Sequence, residues 1–164
     1  MIALIGFMGA GKSTVAEALS IKRNLPLYPT DELVFKLSGL SNMQQIFTRG
    51  GDSYLRELEQ KTLENLSRTD DGIIDCGGGI ITHQPSLELL QQIADTIILL
   101  DVSFEMSRQR IGDDNSRPLF ADEDKARQLY LSRQDQYKKS ATHTIKIHGQ
   151  TTQELVREIE ELMP

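Results

Sequence analysis

Gly6-Phe7-Met8-Gly9-Ala10-Gly11-Lys12-Ser13-Thr14 follows the apolar run Ile2-Ala3-Leu4-Ile5, and its reading decides the fold. A glycine, four free residues and then Gly-Lys-Ser or Thr is the spacing of a phosphate loop between a strand and a helix. The glycines let the backbone curl so that successive N–H groups converge on phosphate oxygens. Lys12 can then reach the β- and γ-phosphates, and the Ser13 hydroxyl can take a place on Mg²⁺. Val15, Ala18 and Leu19 share one face of the helix that follows. The N-terminus of that helix adds about half a positive charge to the site. Gly-rich turns after strands also arise by chance, but here strand, loop and helix come in the required order. The stretch predicts a nucleoside-triphosphate site touched by Gly9, Ala10, Gly11, Lys12, Ser13 and Thr14.

Working outward, 164 residues suffice for one domain with a sizeable core and would be cramped for two, so residues 1–164 are read as a single domain. A formal net charge of −6 argues against a nucleic-acid partner, because phosphate backbones select basic surfaces. A local cluster of arginines could still hold a small anion. No apolar run approaches the ~20 residues of a membrane span, and a strand starting at residue 2 is expected to have no signal peptide before it. Cys76 is the one cysteine and can form no internal disulfide, which fits a reducing compartment. A cytoplasmic monomer acting on a small molecule is the resulting expectation, with no membrane partner.

Strand and helix patterns alternate along the chain. Strands are predicted over residues 2–5, 72–76, 96–101 and 143–147, with a short one at 25–28. Helices are predicted over 12–22, 31–37, 54–67, 85–93, 104–110, 124–137 and 152–162. Such alternation implies an α/β fold with a mostly parallel sheet, and triplets such as Ile97-Ile98-Leu99 suit strands covered on both faces. Two segments break the pattern. Gly112-Asp113-Asp114-Asn115-Ser116-Arg117-Pro118-Leu119 is polar and turn-rich, and predicts a mobile lid over about residues 112–122. Gly77-Gly78-Gly79 directly follows a strand, where it costs backbone entropy and supplies no packing. Something must approach that backbone closely.

Ligands of open α/β sheets lie beyond the carboxyl ends of the strands. The phosphate loop, Thr30-Asp31-Glu32 and the glycine triplet occupy three such ends and should converge on one cleft. A carboxylate facing a triphosphate is a liability unless it handles Mg²⁺ or a substrate hydroxyl. Asp31 also reads as a plain helix N-cap, and the two roles can coexist. Arg56, Arg110 and Arg133 taken singly suit solvated surfaces. Arg117 stands apart, because an arginine in a flexible loop can close over phosphates and neutralise the charge of phosphoryl transfer.

Together these residues carry a family resemblance. The chain resembles the shikimate kinases nearly end to end. The features that carry it are the phosphate loop, Asp31 with Gly39 behind it, and the run from Ile46-Phe47 through Gly51-Asp52 to Arg56 and Glu59. The glycine triplet, Arg117-Pro118-Leu119, and Arg133 four residues before Tyr137 complete it. The resemblance implies a nucleoside-monophosphate-kinase-like P-loop fold, a three-layer arrangement with a five-stranded parallel sheet between helices. It implies ATP-dependent phosphorylation of the 3-hydroxyl of shikimate in aromatic amino-acid biosynthesis, with Mg²⁺ as cofactor and Ser13 as its protein ligand. Asp31 matches the residue that bonds the substrate hydroxyls and accepts the proton, with the acceptor region spanning about residues 31–60. Arg56 and Arg133 match the grip on the substrate carboxylate, and Gly77, Gly78 and Gly79 match the wall of the pocket. Arg117 matches the lid arginine on the ATP phosphates, Arg110 a residue near adenine, and Gln150 a loop residue at the base. Catalysis would then rest on Lys12, Asp31 and Arg117.

The chain departs from the family pattern at several positions. Pro29 replaces an aspartate associated with Mg²⁺ through water, Phe35 replaces a glutamate, and Asp52 and Leu55 replace Glu and Phe. Gln134-Asp135-Gln136 replaces the Pro-Leu that usually precedes Tyr137. Asp75, at the end of the neighbouring strand, is the candidate to substitute for the lost carboxylate, or is a strand-end residue facing solvent. Two other readings stay open. One is a related kinase acting on another hydroxy acid such as gluconate or quinate. The other is a non-catalytic nucleotide-binding regulator, against which the joint presence of Lys12, Ser13, Asp31 and Arg117 speaks.

Overall fold

The computed structural model describes residues 1–67, 71–112 and 122–163. The predicted lid therefore lies, with Arg117, almost wholly outside the described residues. The strands are β1 (Ile2–Ile5), β2 (Leu27–Pro29), β3 (Ile73–Asp75), β4 (Thr96–Asp101) and β5 (His143–Lys146). The helices are α1 (Lys12–Arg23), α2 (Thr30–Ser38), α3 (Met43–Leu66), α4 (Gln84–Ile93), α5 (Phe104–Ile111), α6 (Glu123–Ser140) and α7 (Thr152–Glu161), with a 3-10 turn at Ile80–Thr82.

The strands form one parallel sheet in the order β2-β3-β1-β4-β5. All four residues of β1 and the four central residues of β4 are buried. Because successive side chains point to opposite faces, an unbroken buried run requires cover on both sides, which the helices supply. The edge strand β5 buries only Ile145. The main core gathers β1, β3 and β4 with Val15, Ala16 and Leu19 of α1, Leu63 and Leu66 of α3, and Leu155, Val156 and Ile159 of α7. This architecture is the predicted three-layer α/β fold.

One element differs from the sequence reading. The pattern predicts a helix that starts at residue 54, whereas α3 starts at Met43 and is interrupted at Gly51 (φ 67°, ψ −158°). The first half is capped by the Asn42 side chain, which accepts from the Gln45 N–H. It buries only Ile46 before the break, so its periodicity is faint, and Gly50-Gly51 reads locally as a stop. Ile46 joins Val34, Leu55 and Leu58 in a small second core between α2 and α3, bordered by Phe35, Leu40, Met43 and Tyr54. Tertiary packing, not local pattern, carries the helix through this stretch.

Candidate active site

The phosphate loop is shaped from outside by α5. The Ser107 hydroxyl donates to the Met8 carbonyl at 2.5 Å, and Arg110 Nη1 donates to the Gly9 and Ala10 carbonyls at 3.2 and 3.1 Å. Gly9 is in a left-handed conformation (φ 77°), and a Cβ there would lie 2.9 Å from the Ser107 carbonyl oxygen. With its carbonyls engaged outward, the loop is free to turn N–H groups inward. Gly11, itself left-handed, precedes α1 and gives it no side-chain cap. The first N–H groups of α1 thus have no side chain competing with an anion. Lys12 Nζ donates to the Gly6 and Phe7 carbonyls at 3.0 and 3.4 Å, which folds its ammonium back over the loop.

Opposite the loop, the glycine triplet meets four different side chains. A Cβ on Gly77 would lie 2.5 Å from Asp31 Oδ1, and one on Gly79 would lie 2.5 and 2.6 Å from the two terminal nitrogens of Arg56. The Gly78 carbonyl accepts from the Tyr137 hydroxyl at 2.5 Å and from Arg133 Nη1 at 3.3 Å. None of these glycines has a positive φ, so close approach, not backbone conformation, excludes side chains here. The close approach expected from sequence is made by Asp31 and Arg56. Thr30, fully buried, ties the two segments together by accepting from the Gly77 N–H at 2.8 Å.

Asp31 is not the cap of its helix. Pro29 occupies that position, without a side-chain hydrogen bond, and Asp31 lies in the first turn of α2. The N-cap alternative is thereby removed. Proline is tolerated there because Pro29 ends an edge strand, β2, and its fixed backbone angle is compatible with the chain entering α2.

Arg56 is held between two carboxylates of its own helix. Its Nη1 donates to Glu59 at 2.6 Å and its Nη2 to Asp52 at 2.8 Å. The positions three and four residues away bring all three groups to one face of α3 beyond the Gly51 break. Burial by itself would lower the Arg56 pKa, but Glu59 and Asp52 outweigh it and hold the guanidinium charged. Glu59 is nearly fully buried, and burial pushes its carboxyl up to about 7 against the pull of Arg56, with Asp31 and Asp52 adding repulsion. Sequence reasoning assigns Glu59 no role of its own. Its i,i+3 spacing from Arg56 is the available signal, and only the burial shows that the pair faces the site. Tyr137 is likewise buried, and that burial raises its hydroxyl to about 12, so it stays a neutral donor to Gly78. Arg133 keeps one buried donor, Nε, without a hydrogen-bond partner among the described residues.

These groups line one cavity of about 230 Å³, which gathers Lys12, Ser13, Asp31, Arg56, Glu59, Asp75, Gly77, Gly78, Gly79 and Arg133. Met43 and Phe47, from the unpredicted half of α3, and Met8 and Leu55 add apolar surface. Gly9, Ala10, Gly11 and Thr14 belong to the loop and helix bordering it, and Arg110 braces that loop from behind. Gln150 is not brought to the cavity: its amide donates to the Lys146 carbonyl and accepts from the His148 N–H within its own turn. Asp75 lines the same cavity and is half-buried.

Comparison with known proteins agrees with this geometry. A family model described as shikimate kinase matches residues 8–164. A shikimate kinase of Dehalococcoides mccartyi is 38% identical over 98% of this chain and 91% of its own length. A solved shikimate kinase of Acinetobacter baumannii, in complex with shikimate, superposes with a TM-score of 0.91 at 30% identity, covering 99% of this chain and 91% of that one. A gluconokinase of Sinorhizobium meliloti shares the fold alone, at 17% identity and a TM-score of 0.65 over 96% of this chain and 87% of its own. On a match of this length, continuous from the phosphate loop to the last helix, the chain belongs to the shikimate kinase family.

Proposed function

We propose that this family member transfers the γ-phosphoryl group of ATP to the 3-hydroxyl of shikimate in the cavity between the phosphate loop and the glycine triplet. The observation that carries the reading is the chemistry gathered there: a phosphate loop with Lys12, a carboxylate at Asp31, and two arginines at Arg56 and Arg133. A small carboxylated polyol needs cationic forks for its carboxylate and a proton acceptor at its reacting hydroxyl. Arg133, with a buried donor unused, and Arg56, kept charged by its carboxylates, are the proposed forks.

In the proposed mechanism backbone N–H groups of residues 9–14 bind the phosphates, the Ala10 N–H leaving the Phe7 carbonyl, and Lys12 moves from the loop carbonyls onto the transferring group. Asp31 accepts the proton of the attacking hydroxyl, which is held by the glycine wall beside it. Arg117, outside the described residues, is the proposed closure donor that excludes water and neutralises charge on the equatorial oxygens. Arg110 is proposed to border the base, and Gln150 to reach it only by leaving the hydrogen bonds of its own turn. Mg²⁺ suits the donors present, because the cavity is lined both by the Ser13 hydroxyl and by Asp75, whose carboxylate has no partner among the described residues. When bound, the metal would supply positive charge to offset the negative charge of the triphosphate. The reading includes a cytoplasmic monomer with no nucleic-acid or membrane partner; among the described residues no helix is long and apolar enough to cross a membrane.

A coupled assay of ADP release with shikimate, quinate and gluconate side by side tests the proposal. Shikimate should give the highest kcat/KM. Preference for gluconate or quinate would transfer the site to another hydroxy acid, and nucleotide binding without turnover on any of the three would leave the regulator reading.

A further inference from the structure

We propose that Asp75 is the metal-side carboxylate of this site, anchoring the water shell of the ion that Ser13 and the nucleotide phosphates hold. The inference rests on the nucleotide-binding reading above, and it assigns to Asp75 a task that neighbouring Pro29 has no side chain to perform.

Register is the first observation. Asp75 ends β3 and lies between Leu4 of β1 and Pro29 of β2, each its direct Cα partner. Since β1 runs straight into the phosphate loop, Asp75 is one strand closer to that loop than Pro29 is. The second observation is its surroundings. Asp75 lines the same cavity as Lys12 and Ser13, is half-buried, and its carboxylate makes no hydrogen bond or ion pair among the described residues. The other carboxylates of the cavity are otherwise occupied: Glu59 is bound to Arg56, and Asp31 lies against Gly77 on the acceptor side.

Electrostatics turns these placements into a role. An unpaired carboxylate beside bound phosphates repels them, and the low dielectric of a half-closed cleft enlarges that repulsion. A divalent cation between them reverses the sign for both. Mg²⁺ keeps several of its waters and takes few protein ligands, so a carboxylate bonding those waters suffices. Orienting partners of this kind typically govern metal affinity by about 10–100-fold. Asp75 is therefore expected to weaken metal-free nucleotide binding and to strengthen metal-bound nucleotide binding.

The test uses Mn²⁺, which shares the oxygen-ligand preference of Mg²⁺ and is counted by its paramagnetic resonance signal. Mn²⁺ affinity of the ADP complex and metal-free ADP affinity are measured in the natural chain, Asp75→Asn, Pro29→Asp and the double variant. Asp75→Asn should lose about 10–100-fold in Mn²⁺ affinity, with metal-free ADP binding unchanged or tighter. Adding Pro29→Asp to Asp75→Asn should restore most of the loss. Unchanged Mn²⁺ affinity in Asp75→Asn overturns the assignment, and so does a parallel loss of metal-free ADP binding, which would mark a merely structural role. If Asp75→Asn fails to fold, Pro29→Asp alone decides: a gain in Mn²⁺ affinity of less than about tenfold supports sharing with Asp75, and a larger gain overturns it. Shikimate-dependent turnover is recorded separately. Its absence beside the expected Mn²⁺ loss sinks the kinase reading alone, and its presence beside unchanged Mn²⁺ affinity sinks the Asp75 assignment alone.

Discussion

The two sides of the cavity are built by different means. On the phosphate side the working parts, the Lys12 and Ser13 side chains apart, are backbone: left-handed Gly9 and Gly11, an uncapped helix start, and loop carbonyls held outward by Ser107 and Arg110. This side is an extension of the main core, continuous with β1. On the acceptor side the working parts are side chains: Arg56 clamped by Asp52 and Glu59, and Arg133 and Tyr137 on one carbonyl. Arg56 stands on α3, broken at Gly51, over the small core of Val34, Ile46, Leu55 and Leu58, whereas Arg133 and Tyr137 stand on α6, with Tyr137 buried in the main core. The difference teaches where each specificity resides. A backbone cradle recognises any triphosphate, whereas paired side chains, of which only Arg56 and its carboxylates rest on the smaller core, can be exchanged for another acceptor without altering the backbone of the cradle.

Mutations should break this comparison in order of size. Lys12→Ala should have the largest effect, lowering kcat on the order of 10³-fold or more, since removal of one positioned electrostatic donor costs roughly 3–4 kcal/mol in the transition state. The melting temperature should change little. A folded variant with full turnover would refute phosphoryl transfer by this loop.

Next come the forks. Arg133→Ala should raise the acceptor KM by roughly 30–1000-fold, the loss of a charge-assisted pair of about 2–4 kcal/mol, and leave ATP binding nearly untouched. Arg56→Ala should do the same and also destabilise the fold, because Glu59 then loses its buried partner. Comparing the two by steady-state kinetics and thermal unfolding separates binding from support. Loss of ATP affinity with acceptor affinity intact would turn the cavity around.

Gly79→Ala sharpens the comparison further. Its methyl group would displace Arg56 and not the phosphate loop, so acceptor KM should rise about tenfold, corresponding to ~1.4 kcal/mol. Equal damage to both substrates would show that the two sides are mechanically one unit.

The smallest effect is a pH dependence of stability. Glu59 is raised from 4.5 to about 7 by burial, so the folded state binds more protons than the unfolded chain between those values. Its contribution is fully present below about pH 4.5 and is lost as pH rises through about 7. The melting temperature should therefore fall across that window, and Glu59→Gln should flatten the slope in a calorimetric series. An unchanged slope would locate the titration elsewhere.

The phosphate side is legible in the amino-acid sequence because its instructions are local. Glycine spacing, an apolar run and a helix pattern all lie within residues 2–19, and β1 and α1 begin where those signals begin. Sheet class is legible for a similar reason, since alternating elements with continuous apolar strands admit few arrangements. The acceptor side is legible only in part. The extra turns of α3 hide behind Gly50-Gly51, and the service of Glu59, Thr30 and Tyr137 appears only when residues 30, 59 and 137 meet the glycine triplet.

Sequence alone therefore determined the nucleotide cradle, the parallel α/β architecture and the candidates for chemistry, because each is written in contiguous residues whose backbone preferences and periodicity act over one or two turns of chain. Tertiary structure decided which candidates share a cavity. It separated Gln150, spent on its own turn, from Arg133, left with a buried donor to offer, and set Asp75 between β1 and β2. Those outcomes depend on strand order, register and burial, which are long-range properties: a carboxylate has the same side chain in solvent and in a cleft, and only the packing around it determines which charge it faces.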